Sequence, residues 1–310
     1  MAHAFIFPGQ GSQSVGMLAD LATVYPIVQQ TFAEASEVLG YDLWQLSQIG
    51  PKETLDQTDK TQPALLAASV SIWRIWQQCG GVQPKVMAGH SFGEYSALVC
   101  AESLEFTEAI HLAQDRGRFM QQAVPEGEGA MAAVLGLTDE QIQTVCDDTA
   151  QGQVVTAVNF NAPGQVVIAG HKTAVERALI QAKAAGSKKA ILLPVSVPAH
   201  SILMKPAADQ MAKRITTVNF RSPKIPIIHN VDITTKNEPE AIRQALVAQL
   251  YHPVNWVKTI QAIENLAITT LFEAGPGKVL NGLNKRITSK LVTLSLGSVE
   301  NFAKAMESLS

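Results

Sequence analysis

The sequence predicts an α/β fold with a largely parallel sheet and a small βαββαβ unit inserted into it. Three observations carry this. Short apolar runs at residues 4–7, 86–88 and 268–273 each stop at a Pro- or Gly-rich turn, as buried strands do. Stretches with helical spacing of apolar residues lie between them, which is the alternation that builds a layered α/β protein. From residue 130 to 195 the order becomes strand, helix, two strands, helix, strand, which matches the split βαβ or ferredoxin-like unit.

In chain order, residues 4–7 form a strand ended by Pro8-Gly9. Residues 19–39 carry helical spacing (Leu21, Val24, Ile27, Val28, Phe32, Val38) and stop at Gly40. Residues 62–78 are apolar around most of a helix and read as buried. A brief strand at 86–88 runs through a Gly-rich turn into a helix from Glu94. In the middle of the chain, 130–135 is a strand, and Thr138 with Gln141 forms a capping box that opens a helix to about Thr149. Strands at 154–159 and 165–169 flank the turn Asn161-Ala162-Pro163-Gly164. A helix at 173–185 ends at Gly186, and 190–195 is a further strand. The insertion is bounded near Pro125 and Pro198, so residues 1–124 and 198–310 form the larger domain and 125–197 the smaller. Beyond it come a helical pattern at 202–215, a short strand around 225–229, a helix at 239–249 and the strand at 268–273, which meets the turn Ala274-Gly275-Pro276-Gly277.

Composition removes several classes of function. The chain has 310 residues, 46% hydrophobic and 16% charged, with a formal charge of −3, an ordinary globular make-up long enough for a large core. Neither a basic excess nor aromatic interleaving is present, which argues against a nucleic-acid or anionic-membrane binder. Cys79, Cys100 and Cys146 lie far apart with no CxxC pair, which fits a reducing compartment and offers no metal framework. The N-terminus MAHAFIFPGQG lacks the pattern of a signal peptide, and the longest apolar run, 63–73, is too short to span a bilayer. A cytoplasmic location is expected.

Chemistry concentrates at Gly89-His90-Ser91-Phe92-Gly93, a G-x-S-x-G pentapeptide that follows a strand and opens a helix. That context is the one a nucleophile elbow needs: the glycines remove side chains that would clash in the turn, and the helix N-terminus offers N–H groups to an oxyanion. A structural turn serine is the bland alternative. A serine nucleophile needs a base, and the chain has seven histidines, His3, His90, His111, His171, His200, His229 and His252. His90 adjoins the serine and reads as packing or orienting. His111 and His171 fall on a surface helix and a loop. His200 follows a strand and the stiff segment 194–198 and begins a helical pattern, so it sits at a strand-to-helix junction where a helix N-terminus would keep the imidazole neutral; a satisfied structural histidine is the equal alternative. Asp209 and Asp232 are candidates for a third group, though neither spacing favours it. From pattern alone, Arg116 and Arg118 read as solvated helix charges.

Five separated motifs, FPGQGSQ, GHSFGEY, QDRGRFMQ, SVPAHS and EAGPGKVLNGLNKRI, together resemble the bacterial malonyl-CoA:acyl carrier protein transacylase family over essentially the whole chain. The resemblance implies an α/β-hydrolase-like domain with a ferredoxin-like insertion. It makes Ser91 the nucleophile and His200 its base, oriented by the main-chain carbonyl of Gln249 rather than by a carboxylate. It assigns the oxyanion hole to the N–H groups of Phe92 and Gln10, and the binding of the malonyl carboxylate to Arg116, whose planar fork can donate two parallel hydrogen bonds. Phe92 stands where leucine is common, which leaves the shape of the acyl pocket open. The implied reaction moves malonyl from coenzyme A to the phosphopantetheine thiol of acyl carrier protein, supplying fatty acid biosynthesis, with no metal or redox cofactor. A serine thioesterase and a non-catalytic carrier-binding module are the rival readings. Gly9-Gln10-Gly11 lacks the third glycine of a dinucleotide fingerprint, and Gly277-Lys278 lacks the rest of a P-loop. Lys278, Lys285, Arg286 and Lys290 read first as a solvated helix face and second as a contact for an acidic carrier. Asn159 and Asn161 read as turn formers, with the cleft as the alternative.

Overall fold

The computed structural model describes residues 2–195 and 197–308, so Ser196 of the SVPAHS motif lies outside the described residues. Two five-stranded sheets organise the chain. Their strands are β1 (His3–Phe7), β2 (Val86–Gly89), β3 (Gly129–Leu135), β4 (Val155–Ala162), β5 (Gln165–His171), β6 (Lys189–Leu192), β7 (Ile227–Ile228), β8 (Val254–Asn255), β9 (Thr270–Glu273) and β10 (Val292–Ser295). The first sheet runs β10-β9-β1-β2-β7 and every pairing in it is parallel. Its central strands are apolar on both faces, as a sheet covered by helices on both sides requires. The expected α/β fold with a parallel sheet is present.

Parallel register brings the carboxyl ends of these strands together: Phe7 pairs with Gly89, and Ala88 with Ile228. The loops that follow β1, β2 and β7 therefore open at one edge, where sites gather in open α/β sheets. The second sheet runs β6-β3-β5-β4-β8. Its first four strands pair antiparallel and carry the helices Asp139–Ala150 and Lys172–Ala184, with β8, from the later part of the chain, added parallel to β4. The predicted capping box is in place, with Gln141 N–H donating to Thr138 Oγ1 at 3.2 Å and Thr138 N–H to Gln141 Oε1 at 2.9 Å.

Several elements depart from the reading by pattern. The helix expected over 19–39 is two helices, Ala19–Val24 and Ile27–Leu39. Tyr25 is extended because Pro26 follows it, and a residue before proline is pushed out of the helical region. The helix expected from residue 62 begins four residues earlier, at Thr58, and carries Pro63 within it. Most of that helix is buried in the main core, where packing outweighs the hydrogen bond lost at proline. The turn expected at Asn161 is shorter, because β4 continues through Asn161 to Ala162 and Gly164, at φ 69°, supplies the left-handed residue of the hairpin.

Candidate active site

Ser91 sits two residues past the end of β2, and the helix Gly93–Cys100 starts two residues later. The turn is tight enough to dictate its glycines. A Cβ on Gly89 would lie 1.9 Å from the Gly93 carbonyl carbon, and one on Gly93 would lie 2.1 Å from Phe7 O. Between them Ser91 adopts φ 51°, in the left-handed region that costs a non-glycine residue of order 1 kcal/mol. The strain aims its hydroxyl at an imidazole from a segment 109 residues away: Ser91 Oγ and His200 Nε2 are 2.7 Å apart. His200 is itself left-handed, at φ 65°, and buried. Its Nδ1 lies 2.7 Å from the main-chain oxygen of Gln249, so Nδ1 carries the proton and Nε2 is free to accept one from the serine.

Burial and the neighbouring Arg116 charge lower the His200 pKa to about 3, against hydrogen bonds that act to raise it. The position of His200 at a strand-to-helix junction predicts that a helix N-terminus keeps it neutral. That part is corrected: the α-helix begins only at Lys205, after a short 3₁₀ turn at Ile202–Met204. Neither candidate aspartate, Asp209 or Asp232, joins the pair, as their spacing suggests. Asp209 is bonded to Lys205 and Asp232 to Lys236, both near the surface.

Arg116 lies on the helix Phe106–Gln122 and is 1% exposed, so the solvated reading fails for it. It does hold for Arg118, which is exposed and paired with Asp115. Arg116 donates from Nη2 to Gln249 Oε1 at 3.0 Å, its Nε has no partner, and among the described residues no carboxylate is ion-paired with it. Its guanidinium carbon lies 5.5 Å from the centre of the Tyr95 ring and 5.9 Å from that of Phe92. A buried cation without a counter-ion is costly, and burial lowers its pKa; the arrangement is suited to receive an anion.

Ser91, His200 and Arg116 open onto one cavity of about 480 Å³, which Gln10 and Phe92 also line. Among the described residues, neither the Gln10 nor the Phe92 backbone N–H donates to a protein acceptor. The second sheet walls the cavity with Met131, Asn159 and Val167, and Asn161 lines it too, 2.7 Å through Oδ1 from His90 Nε2. His90 thus orients against the second sheet and packs its edge on Trp256. Asn159 and Asn161 belong to the cleft and not to a turn. Val279, Leu280 and Leu283 close another side, while Lys278, Lys285, Arg286 and Lys290 are exposed, with Arg286 bonded to Gln165 and Lys290 to Glu264.

Pattern reading missed a buried polar cluster beneath the serine. Glu94 and His229 are completely buried, and the structure puts Glu94 Oε1 2.6 Å from His229 Nδ1. Asn230 accepts from the Ser91 N–H at 3.0 Å, and the Gln249 side chain donates to Ser91 O at 3.0 Å. The available signal was positional: Glu94 lies within the GHSFGEY motif, and Asn230 follows a strand end.

A parallel α/β scaffold with a strained serine, an oriented neutral histidine and an unpaired buried arginine in one cavity has the parts of an acyl-transfer site. The family model described as an acyl transferase domain matches residues 4–289, and the chain belongs to that family. The malonyl CoA-acyl carrier protein transacylase of Escherichia coli (strain K12) is 57% identical over 304 residues, covering 98% of each chain. That of Bacillus subtilis (strain 168) is 42% identical over 307 residues, covering 99% of this chain and 96% of its own. Among solved structures, an acyl carrier protein S-malonyltransferase from Vibrio cholerae superposes with a TM-score of 0.96 at 57% identity, covering 98% of this chain and all of the other. A malonyl-transacylase in complex with a holo type II PKS acyl carrier protein superposes with a TM-score of 0.98 at 56% identity, covering 99% and 100%. Within the acyl transferase domain family, the chain thus falls among the malonyl CoA-acyl carrier protein transacylases.

Proposed function

We propose that this chain transfers a malonyl group from coenzyme A to the phosphopantetheine thiol of acyl carrier protein through an ester on Ser91, supplying fatty acid biosynthesis. The observation that carries the reading is the chain of contacts from Ser91 Oγ to His200 Nε2 and from His200 Nδ1 to Gln249 O, opening onto the same cavity as Arg116. His200 takes the hydroxyl proton as Ser91 Oγ adds to the thioester carbonyl. The oxyanion is received by the N–H groups of Gln10 and Phe92. Collapse breaks the C–S bond, and the coenzyme A thiolate leaves with the proton from the imidazolium. The carrier thiol then gives its proton to His200, attacks the ester, and Ser91 Oγ departs with that proton. General-base assistance of this kind contributes about 10²–10⁴-fold.

Arg116 binds the carboxylate of the malonyl group and thereby selects it over an uncharged acyl group. No metal or redox cofactor takes part, and malonyl-CoA is a substrate. Residues 1–124 and 198–310 are read as an α/β-hydrolase-like core and 125–197 as a ferredoxin-like insertion. The all-parallel first sheet and the β6-β3-β5-β4 order of the second support that division. A cytoplasmic location accords with three free cysteines. No helix among the described residues is long and apolar enough to cross a membrane.

The test is incubation with malonyl-CoA in the presence and absence of holo acyl carrier protein. Transfer predicts malonylated carrier and little free-acid release; rapid coenzyme A release without the carrier would favour a thioesterase and overturn the reading.

A further inference from the structure

Glu94 has no part in the cycle above, yet it is the most heavily hydrogen-bonded carboxylate beneath the site. Its Oε2 accepts from the Asn230 backbone N–H at 3.0 Å, from Asn230 Nδ2 at 2.5 Å and from Gln249 Nε2 at 2.9 Å, and Oε1 faces His229 Nδ1. A carboxylate only accepts, so it dictates which end of each neighbouring amide turns toward it. The Asn230 amide must present its NH₂ to Glu94 and to Gly89 O, at 2.8 Å, and this leaves Oδ1 facing the Ser91 N–H. The Gln249 amide must present its NH₂ to Glu94 and to Ser91 O, and this leaves Oε1 facing Arg116 Nη2. Both backbone polar groups of the strained serine are therefore held by side chains whose polarity one carboxylate sets. The same residue whose main-chain oxygen meets His200 reaches Arg116 with its side chain.

We propose that Glu94, acting through Asn230 and Gln249, is the positioning residue that holds Ser91 in its left-handed conformation and turns the Gln249 amide oxygen toward Arg116. Glu94→Leu removes the acceptor, so the Asn230 and Gln249 amides lose the partner that fixes them, whereas Glu94→Gln can keep both by placing its oxygen at the Oε2 position and its NH₂ on His229 Nδ1 and should act as the rescuing variant. Burial alone would raise the Glu94 pKa; the charge and hydrogen bond of His229 and the bonds from Asn230 and Gln249 bring it below the ordinary value, which keeps the group an acceptor. Gln249→Ala separates the two arms, because it keeps the main-chain carbonyl for His200 and removes only the amide.

The inference about Arg116 rests on the acyl-transfer reading; that about Ser91 does not. The experiment therefore measures two rates: labelling of Ser91 by a fluorophosphonate probe, which needs only a reactive serine, and kcat and KM for malonyl-CoA and acetyl-CoA. Glu94→Leu should slow labelling and lower kcat about 10²-fold, the scale of a misplaced reacting group, with a smaller change in KM, and Glu94→Gln should restore most of both. Gln249→Ala should in addition reduce the malonyl-to-acetyl preference about tenfold, as expected for one lost hydrogen bond on a charged partner. If Glu94→Leu does not fold, Gln249→Ala decides alone. Wild-type labelling in folded Glu94→Leu, or wild-type labelling and preference in folded Gln249→Ala, would overturn the proposal. Loss of labelling in a chain whose parent transfers no malonyl would sustain the serine arm while the transfer reading fell.

Discussion

Replacing Arg116 with alanine should change which acyl group the protein handles far more than whether it handles one. The guanidinium is buried, carries several donors in a fixed fork, spends one on the neutral Gln249 oxygen and keeps Nε unpartnered. A hydrogen bond between charged partners contributes about 1.5–3 kcal/mol net. Two of them to a malonyl carboxylate amount to about 3–6 kcal/mol, and with 1.4 kcal/mol for each decade the preference for malonyl over acetyl should fall about 10²–10⁴-fold. Most of that change belongs to the malonyl substrate. The acetyl reaction should hold or improve, since an uncharged acyl group gains nothing from a buried cation. The assay is kcat/KM for transfer from malonyl-CoA and from acetyl-CoA to holo acyl carrier protein, with circular dichroism to verify the fold. An unchanged ratio in a folded variant would remove Arg116 from the acyl pocket.

Three further outcomes follow from particular groups. Acylation needs neutral His200, and with its pKa lowered to about 3 the burst rate should stay level from about pH 8 to about pH 5; a bend at the ordinary histidine value of 6.5 would contradict the burial argument. Glu273 is buried and its pKa is raised to about 7, burial outweighing the N–H groups of Leu280 and Asn281 that it accepts. A raised carboxyl binds more protons folded than unfolded, so its contribution is present below about pH 4.5 and is lost as pH rises to about 7. Urea titrations at several pH values should show a loss of stability over this range that is larger in the parent than in Glu273→Gln, and parallel curves would sink the assignment. Gly89→Ala should destabilise by about 3 kcal/mol or more, since the new Cβ meets backbone rather than a movable side chain; near-parental chemical denaturation would show the turn to be slack.

What the sequence made legible was whatever local spacing or a motif encodes. The strand–turn–helix context of Ser91, the capping box at Thr138 and the alternation of strands with helices are local, and the structure has each. Local pattern alone could not separate Arg116 from Arg118, since both sit in one helix and only packing against Gln249 and Tyr95 buries the first. Glu94 was invisible for a related reason. An acidic residue in the first turn of a helix has a sufficient explanation in the helix dipole, and nothing nearby in the chain announces partners 135 to 155 residues away. The resemblance points to the main-chain oxygen of Gln249, while its side chain, which links three parts of the site, has no local signature. Pro26 marks the break after Tyr25 in the sequence, but apolar spacing that continues across it predicts a single helix.

In the proposed cycle the acyl group rests on one hydroxyl, that of Ser91. Rapid quenching of the protein with malonyl-CoA, followed by mass spectrometry of the intact chain and its peptides, should find a single malonyl increment on the peptide containing Ser91 and none in Ser91→Ala. A malonyl increment at another residue, or one that persists in Ser91→Ala, would rule out the Ser91 ester.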